Sequence, residues 1–222
     1  MKTQRHNSGT ASEKNAEALA AFHSFLSAIE APPAEAYAFL KPHLKPRSVK
    51  KKTVFWPAGM PSRHVWFVAS GLVRGYYTQP DGTETTGWLA EAGELVCTPA
   101  GLFTGATCDD CLATIQDSHL VEIPYNVLQN ECAQFGYFCR LVRSLLQHAL
   151  VKQDERLRLL RISNAQERLN RFANSSPDLY MSTPACVLAS YLGISKASMN
   201  RMLPVSGRAV RLDLDSVQRQ SA

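Results

Sequence analysis

The sequence predicts an α+β fold in which a β sandwich or barrel is followed by a long helix and a C-terminal helix-turn-helix. Three observations carry this. After Pro46 the chain runs in short β-branched and aromatic stretches broken by turn residues, from Cys132 to Arg161 the apolar residues keep a helical period, and TPACVLASYLGISKASMNRML has the spacing of two short helices around a glycine turn. The 222 residues are 45% hydrophobic and 19% charged, an ordinary globular balance that excludes a wholly disordered chain.

Taken in order, residues 1–15 (MKTQRHNSGTASEKN) are polar with little to bury and read as a disordered lead-in. They have no apolar core behind their charges and no stretch of the chain approaches ~18 consecutive apolar residues, so neither a secretory signal nor a membrane span is expected and the protein is assigned to the cytoplasm. From Ala16 to Leu44, Leu19, Phe22, Phe25, Leu26 and Ile29 recur at spacings of three and four before Pro32-Pro33 interrupts, which fits two short helices. TVFW, HVWFVAS, LVRGYYT, TETTGWLAEAGELV, CLATIQ and HLVEI then read as strands, with Asp81-Gly82 marking a tight hairpin. The long helix spans Cys132 to Arg161, about 45 Å at the usual rise, with Leu145 and Ala149 on its apolar seam. A shorter helix, Asn164 to Asn174, is capped by Ser163 and buries Ala165, Leu169 and Phe172.

In the last motif Ala189 is small where two helices cross, Gly193 takes the positive φ of the turn, and Ile194, Met199 and Met202 bury the second helix. Ser195 caps that helix. Lys196, Ser198, Asn200 and Arg201 are left facing outward, where a reading helix presents side chains to base edges in the major groove.

Charge is uneven. Residues 1–79 carry 11 basic and 4 acidic groups, 80–149 carry 2 and 9, and 150–222 carry 11 and 6. Nothing basic occurs between Arg74 and Arg140, so a pocket built from that span has no cation of its own for a phosphate. The run Lys41, Lys45, Arg47, Lys50, Lys51 and Lys52 reads as solvated surface. The histidines show no metal spacing, the six cysteines are too scattered for a disulfide scaffold, and no nucleophile motif or glycine-rich phosphate loop is present, so the reading includes no catalytic residue, no metal and no cofactor.

Order and content together resemble the Crp/Fnr family of bacterial transcription regulators over roughly residues 15–203. LKPRSVKKKTVFWPAGMPSRHVWFVASGLVRGYYTQPDGTE is similar to the family's opening strands, WLAEAGELV to the start of its phosphate-binding cassette, and VLASYLGISKASMNRM to its DNA-reading motif. The resemblance implies a cyclic-nucleotide-binding-like jelly roll over 16–131, a dimerisation helix over 132–162 and a winged-helix-like DNA-binding domain over 163–222. It implies double-stranded DNA, a second copy of the chain and RNA polymerase as partners, with Ser195 and Ser198 on phosphates and Lys196 and Arg201 as the leading base readers. Family members that bind cyclic nucleotides follow the Gly-Glu pair with an arginine and a small hydroxyl residue. Here Gly93 and Glu94 remain, but Thr107-Cys108-Asp109-Asp110-Cys111 stands at the corresponding place, where Asp109 and Asp110 would repel a phosphate. Cyclic AMP is therefore not the expected effector, and the effector is left unassigned. Cys108 and Cys111 have a spacing that could ligate metal or act as a redox switch, but they are read first as ordinary thiols, because this chain has no cysteine before Cys97 to match the N-terminal cluster of iron–sulfur relatives. Pro204 stops the reading helix, and the tail PVSGRAVRLDLDSVQRQSA lacks the resemblance. The alternative is a jelly-roll signalling or cupin-like module without DNA binding; the absent histidine cluster argues against the cupin.

Overall fold

The computed structural model describes residues 10–134 and 136–203. Helix α1 (Ala11–Ile29) starts five residues before the expected boundary at Ala16, because Thr10 and Glu13 form a reciprocal capping box. The Glu13 N–H donates to Thr10 Oγ1 at 3.3 Å and the Thr10 N–H to Glu13 Oε2 at 2.5 Å. The polar lead-in is thus shorter than its composition suggests, and residues 1–9 lie outside the described part. Helix α2 (Ala34–Leu40) follows Pro32-Pro33 as the sequence implies.

Eight strands follow: β1 (Lys45–Val49), β2 (Val54–Trp56), β3 (His64–Ser70), β4 (Leu72–Thr78), β5 (Glu84–Glu91), β6 (Leu95–Val96), β7 (Asp110–Thr114) and β8 (Ser118–Pro124). A short helix α3 (Pro99–Thr104) lies between β6 and β7. The strands form two four-stranded antiparallel sheets, ordered β1-β8-β3-β6 and β2-β7-β4-β5, which is the topology of a jelly roll. Strand β1 lies in the stretch similar to the family's opening strands but was not among the strands read from the β pattern, since KPRSV reads as charged surface. It is an edge strand paired only with β8, so its charged side chains keep access to water. Arg47 is more than solvated charge: its Nε donates to Glu122 Oε2 at 2.7 Å, matching a carboxylate that is 7% exposed. The β4–β5 turn is the expected hairpin, with Gly82 at φ 82° and the Thr83 N–H donating to Asp81 Oδ1 at 2.8 Å.

Alternation along the strands builds the interior. Trp66, Val68, Val73, Ala90, Val96, Leu112 and Leu120 fill the space between the sheets. The opposite faces of β3 and β8 send Phe67, Val121 and Ile123 outward, where Phe22 and Leu26 of α1 and Leu40 of α2 cover them.

Helix α4 (Tyr125–Gln134) and helix α5 (Gly136–Leu160) flank Phe135, which lies outside the described residues. Helical structure therefore begins before the expected Cys132, and it ends at Leu160 instead of Arg161. The 25 residues of α5 span about 38 Å. Tyr137, Phe138 and Leu141 are buried in the cluster that holds α1 and α2, with Leu145 packed on its margin. Leu145 is thus half-buried at the edge of that cluster, and Ala149 is exposed.

The C-terminal unit contains α6 (Ala165–Ser175), α7 (Pro177–Ser182), α8 (Ala185–Leu192) and α9 (Lys196–Met202). The cap of α6 is Asn164, not Ser163: its side-chain oxygen accepts from the Glu167 N–H at 3.0 Å. Leu169, Phe172, Leu179, Val187, Leu188, Leu192 and Met199 form its core, and Leu72 and Leu89 from the outer face of β4 and β5 join that cluster. The unit is consequently seated on the jelly roll through one continuous apolar contact.

Candidate nucleic-acid interface and effector cassette

The reading motif follows from its local chemistry. Helix α8 ends at Gly193, whose φ of 61° lies in the left-handed region, and the Ile194 N–H donates to Ala189 O at 2.9 Å to close the turn. Ser195 then caps α9, its Oγ accepting from the Ser198 N–H at 3.1 Å. Ala189 and Met199 are each 1% exposed and Ile194 is 7% exposed, so the two helices meet on the expected residues. Ser195, Lys196, Asn200 and Arg201 are exposed and Ser198 is half-buried, so all five predicted DNA-reading residues lie on one short helix and its cap. The two hydroxyls are engaged locally: Ser195 Oγ donates to Ser198 Oγ at 3.0 Å, and Arg201 Nη2 donates to the same oxygen at 3.1 Å. Leu203 is extended (ψ 129°), the conformation forced on a residue before proline; Pro204 and the tail lie outside the described residues.

The predicted effector residues fall in two places. Gly93 and Glu94 form the β5–β6 turn, where Gly93 has φ 91° and its N–H donates to Val68 O at 2.8 Å. Glu94 accepts from the Glu91 N–H at 3.0 Å and is ion-paired to Lys152 of α5. Asp109 precedes β7 and Asp110 opens it, opposite Tyr77 of β4. Burial and the neighbouring Asp109 hold the Asp110 carboxyl above its ordinary range. Sequence counting found no cation for this region; the fold supplies one from outside the counted span, because α5 brings Lys152 across to Glu94.

Four further residues escaped the sequence reading. Arg156 of α5 lies over the Tyr191 ring, 4.9 Å from its centroid, and donates to Thr86 O at 3.3 Å. Ser190 of α8 accepts from the Thr86 N–H at 2.7 Å and donates to Glu84 O at 2.9 Å. Burial raises the Tyr191 phenol above its ordinary pKa. Arg168 of α6 bonds the carbonyls around the helix-turn-helix turn. All four act across long sequence separations, which no spacing rule exposes.

Among the described residues, Cys97, Cys108 and Cys111 form no disulfide. Burial pushes the Cys97 thiol up to about 11, which makes it a poor thiolate. Among the described residues no group of three or more His, Cys, Asp or Glu could hold a metal, and no helix is long and apolar enough to cross a membrane.

Comparison with known proteins adds three findings. Residues 46–135 match the Cyclic nucleotide-binding domain family. The "Fumarate and nitrate reduction regulatory protein" of Vibrio cholerae is 24% identical over 183 residues, covering 78% of this chain and 71% of that one. "Electron transport regulator A" of Shewanella oneidensis is 23% identical over 171 residues, covering 71% of this chain and 66% of the relative's length. Two solved structures share the fold: FixK2 from Bradyrhizobium japonicum (TM-score 0.63, 18% identity, 75% of this chain and 84% of that one) and the c-di-GMP responsive global regulator CLP from Xanthomonas campestris (TM-score 0.62, 22% identity, 77% and 90%). Residues 46–135 thus belong with cyclic nucleotide-binding domains, and the chain as a whole, a jelly roll followed by a long helix and a glycine-turned helix pair, is similar to transcriptional regulators of the Crp/Fnr type.

Proposed function

We propose that the protein is a homodimeric, sequence-specific regulator that binds double-stranded DNA through α9, pairs through the second half of α5, acts in the cytoplasm without enzymatic activity, and does not answer to cyclic AMP. The observation that carries the DNA reading is the division of α9 and its cap. Met199 is fully buried, while Ser195, Lys196, Asn200 and Arg201 are exposed. The dimer reading is supported by α5, where Leu146, Leu150 and Leu157 are 48%, 72% and 52% exposed. At 100° per residue these three share one narrow stripe, and a stripe of exposed leucines is best covered by its twin. Cyclic AMP independence is supported by Asp109-Asp110 in the cassette and by Lys152 already paired with Glu94. RNA polymerase enters as a partner through the family alone.

Selection of bound fragments from random duplex DNA with the full chain tests the reading. The expected result is a near-palindromic site with half-sites about 34 Å apart. Arg201→Ala and Lys196→Ala should each weaken binding to that site by ~1–3 kcal/mol and to random DNA by much less. Absence of any enriched sequence, or equal losses on both kinds of DNA, would contradict it.

A further inference from the structure

We infer that Arg168 is a positioning residue for DNA reading: its guanidinium fastens the turn of the helix-turn-helix to the segment leaving α5, and so fixes where α9 stands relative to the dimer axis. This rests on the reading proposed above. Arg168 Nε and Nη2 donate to Ile162 O at 3.0 and 2.7 Å, and Nη1 donates to Leu192 O at 2.5 Å and to Gly193 O at 3.2 Å. Every one of these acceptors is a main-chain carbonyl, so the side chain grips backbone from two separate segments.

Each segment needs a donor. Leu192 is the last residue of α8 and Gly193 its cap, so their carbonyls belong to the helix end that lacks intrahelical partners and carries the negative end of the dipole. Ile162 lies two residues beyond the end of α5, in the link to α6. A guanidinium is a planar fork that can address both at once, whereas a lysine ammonium is a single point that cannot span them. Arg168 itself is anchored by its neighbour Leu169, 3% exposed in the core of the unit. The fit beneath the turn is close: a Cβ at Gly193 would stand 3.4 Å from Arg168 Nη1.

Only Ile194 separates Gly193 from the Ser195 cap and α9. A shift of the turn therefore shifts the reading helix, and in a dimer it shifts both copies symmetrically. Base contacts within one half-site depend on the face of α9. The separation of two half-sites depends on how rigidly α9 is tied to α5, and Arg168 supplies the tie at the turn itself, beside the Arg156–Tyr191 contact on α8.

The test uses the full chain with Arg168→Gln and Arg168→Lys, both checked for cooperative unfolding. Duplexes carry the selected half-site at several separations. The wild type should favour one separation over its neighbours by about tenfold, and both variants should flatten that profile while keeping the half-site base preference. A folded Arg168→Gln with the wild-type profile would overturn the proposal, as would full restoration by Arg168→Lys. A second measurement is independent of DNA: spin labels placed by a bioorthogonal residue at Gln147 and Asn200, in protein diluted with unlabelled chain. A narrow distance distribution in the wild type that broadens in both variants supports the clamp, and an unchanged distribution overturns it. If Arg168→Gln fails to fold, Arg168→Lys carries both measurements. Broadened distances together with no DNA binding by the wild type would support the clamp and overturn the DNA reading, which keeps the two failures apart.

Discussion

Along α5, Tyr137, Phe138 and Leu141 are enclosed in the cluster built by α1, α2 and the outer face of the jelly roll, whereas Leu146, Leu150 and Leu157 a few turns later lie open to solvent. The first half is also fixed by polar bonds to the end of α1: Tyr137 Oη donates to Glu30 O at 3.0 Å, and Arg140 makes a bidentate pair with the Glu30 carboxylate at 2.6 and 3.2 Å. The second half touches its own chain mainly through its polar side chains, Lys152 on Glu94 and Arg156 on Thr86 and Tyr191. One helix thus serves two purposes. Its beginning completes a core with α1 and α2, and its end carries apolar surface that the described residues leave uncovered.

The largest effect should come from the enclosed half. Phe138 is fully buried, so Phe138→Ala should cost ~3–5 kcal/mol of folding stability, read as a lowered denaturant midpoint. The open half should respond differently to Leu150→Glu, which would bury an unpaired carboxylate at the seam. Sedimentation should show about a tenfold or greater loss of dimer affinity, while unfolding of the dilute protomer is little changed. A dimer that survives Leu150→Glu would break the comparison. Tyr137→Phe sharpens it, since removing one hydrogen bond at the enclosed half should cost ~1 kcal/mol. The smallest effect concerns pH. Arg140 holds the Glu30 carboxyl below its ordinary value of 4.5, so the stability this pair contributes is fully present above that value and is lost as pH falls through the lower folded value. Arg140→Gln should therefore lower stability slightly at neutral pH and leave it unchanged in acid, where the pair is already lost, so the acid limb of its stability profile becomes shallower.

Much of this architecture was legible in the sequence, for physical reasons that differ between elements. HVWFVAS and LVRGYYT announced β3 and β4 because alternating apolar residues must face a core. The helix-turn-helix was legible down to single residues, because Ala189, Gly193 and Met199 answer to local sterics. Strand β1 was not, because an edge strand tolerates charge and proline and so loses the pattern that marks interior strands. The start of α1 was misplaced although Thr10 and Glu13 spelled its capping box, since a polar composition hid a short local signal. At the cassette, counting charges along the chain gave no cation, and only the fold revealed that α5 returns Lys152 to Glu94. The contacts of Arg168 and Ser190 depend on how separate elements dock, and no periodicity encodes that.

Ser190 has a consequence for solubility. Strand β5 is the last strand of its sheet, and an open edge offers backbone donors and acceptors to any passing extended chain. Ser190 accepts from the Thr86 N–H and donates to Glu84 O, while Arg156 of α5 covers Thr86 O, so the edge is masked by the reading unit together with α5. Swinging that unit away from the jelly roll would uncover the Thr86 N–H and the Glu84 carbonyl. Mobility of the DNA-reading unit and resistance to aggregation are therefore coupled through one serine.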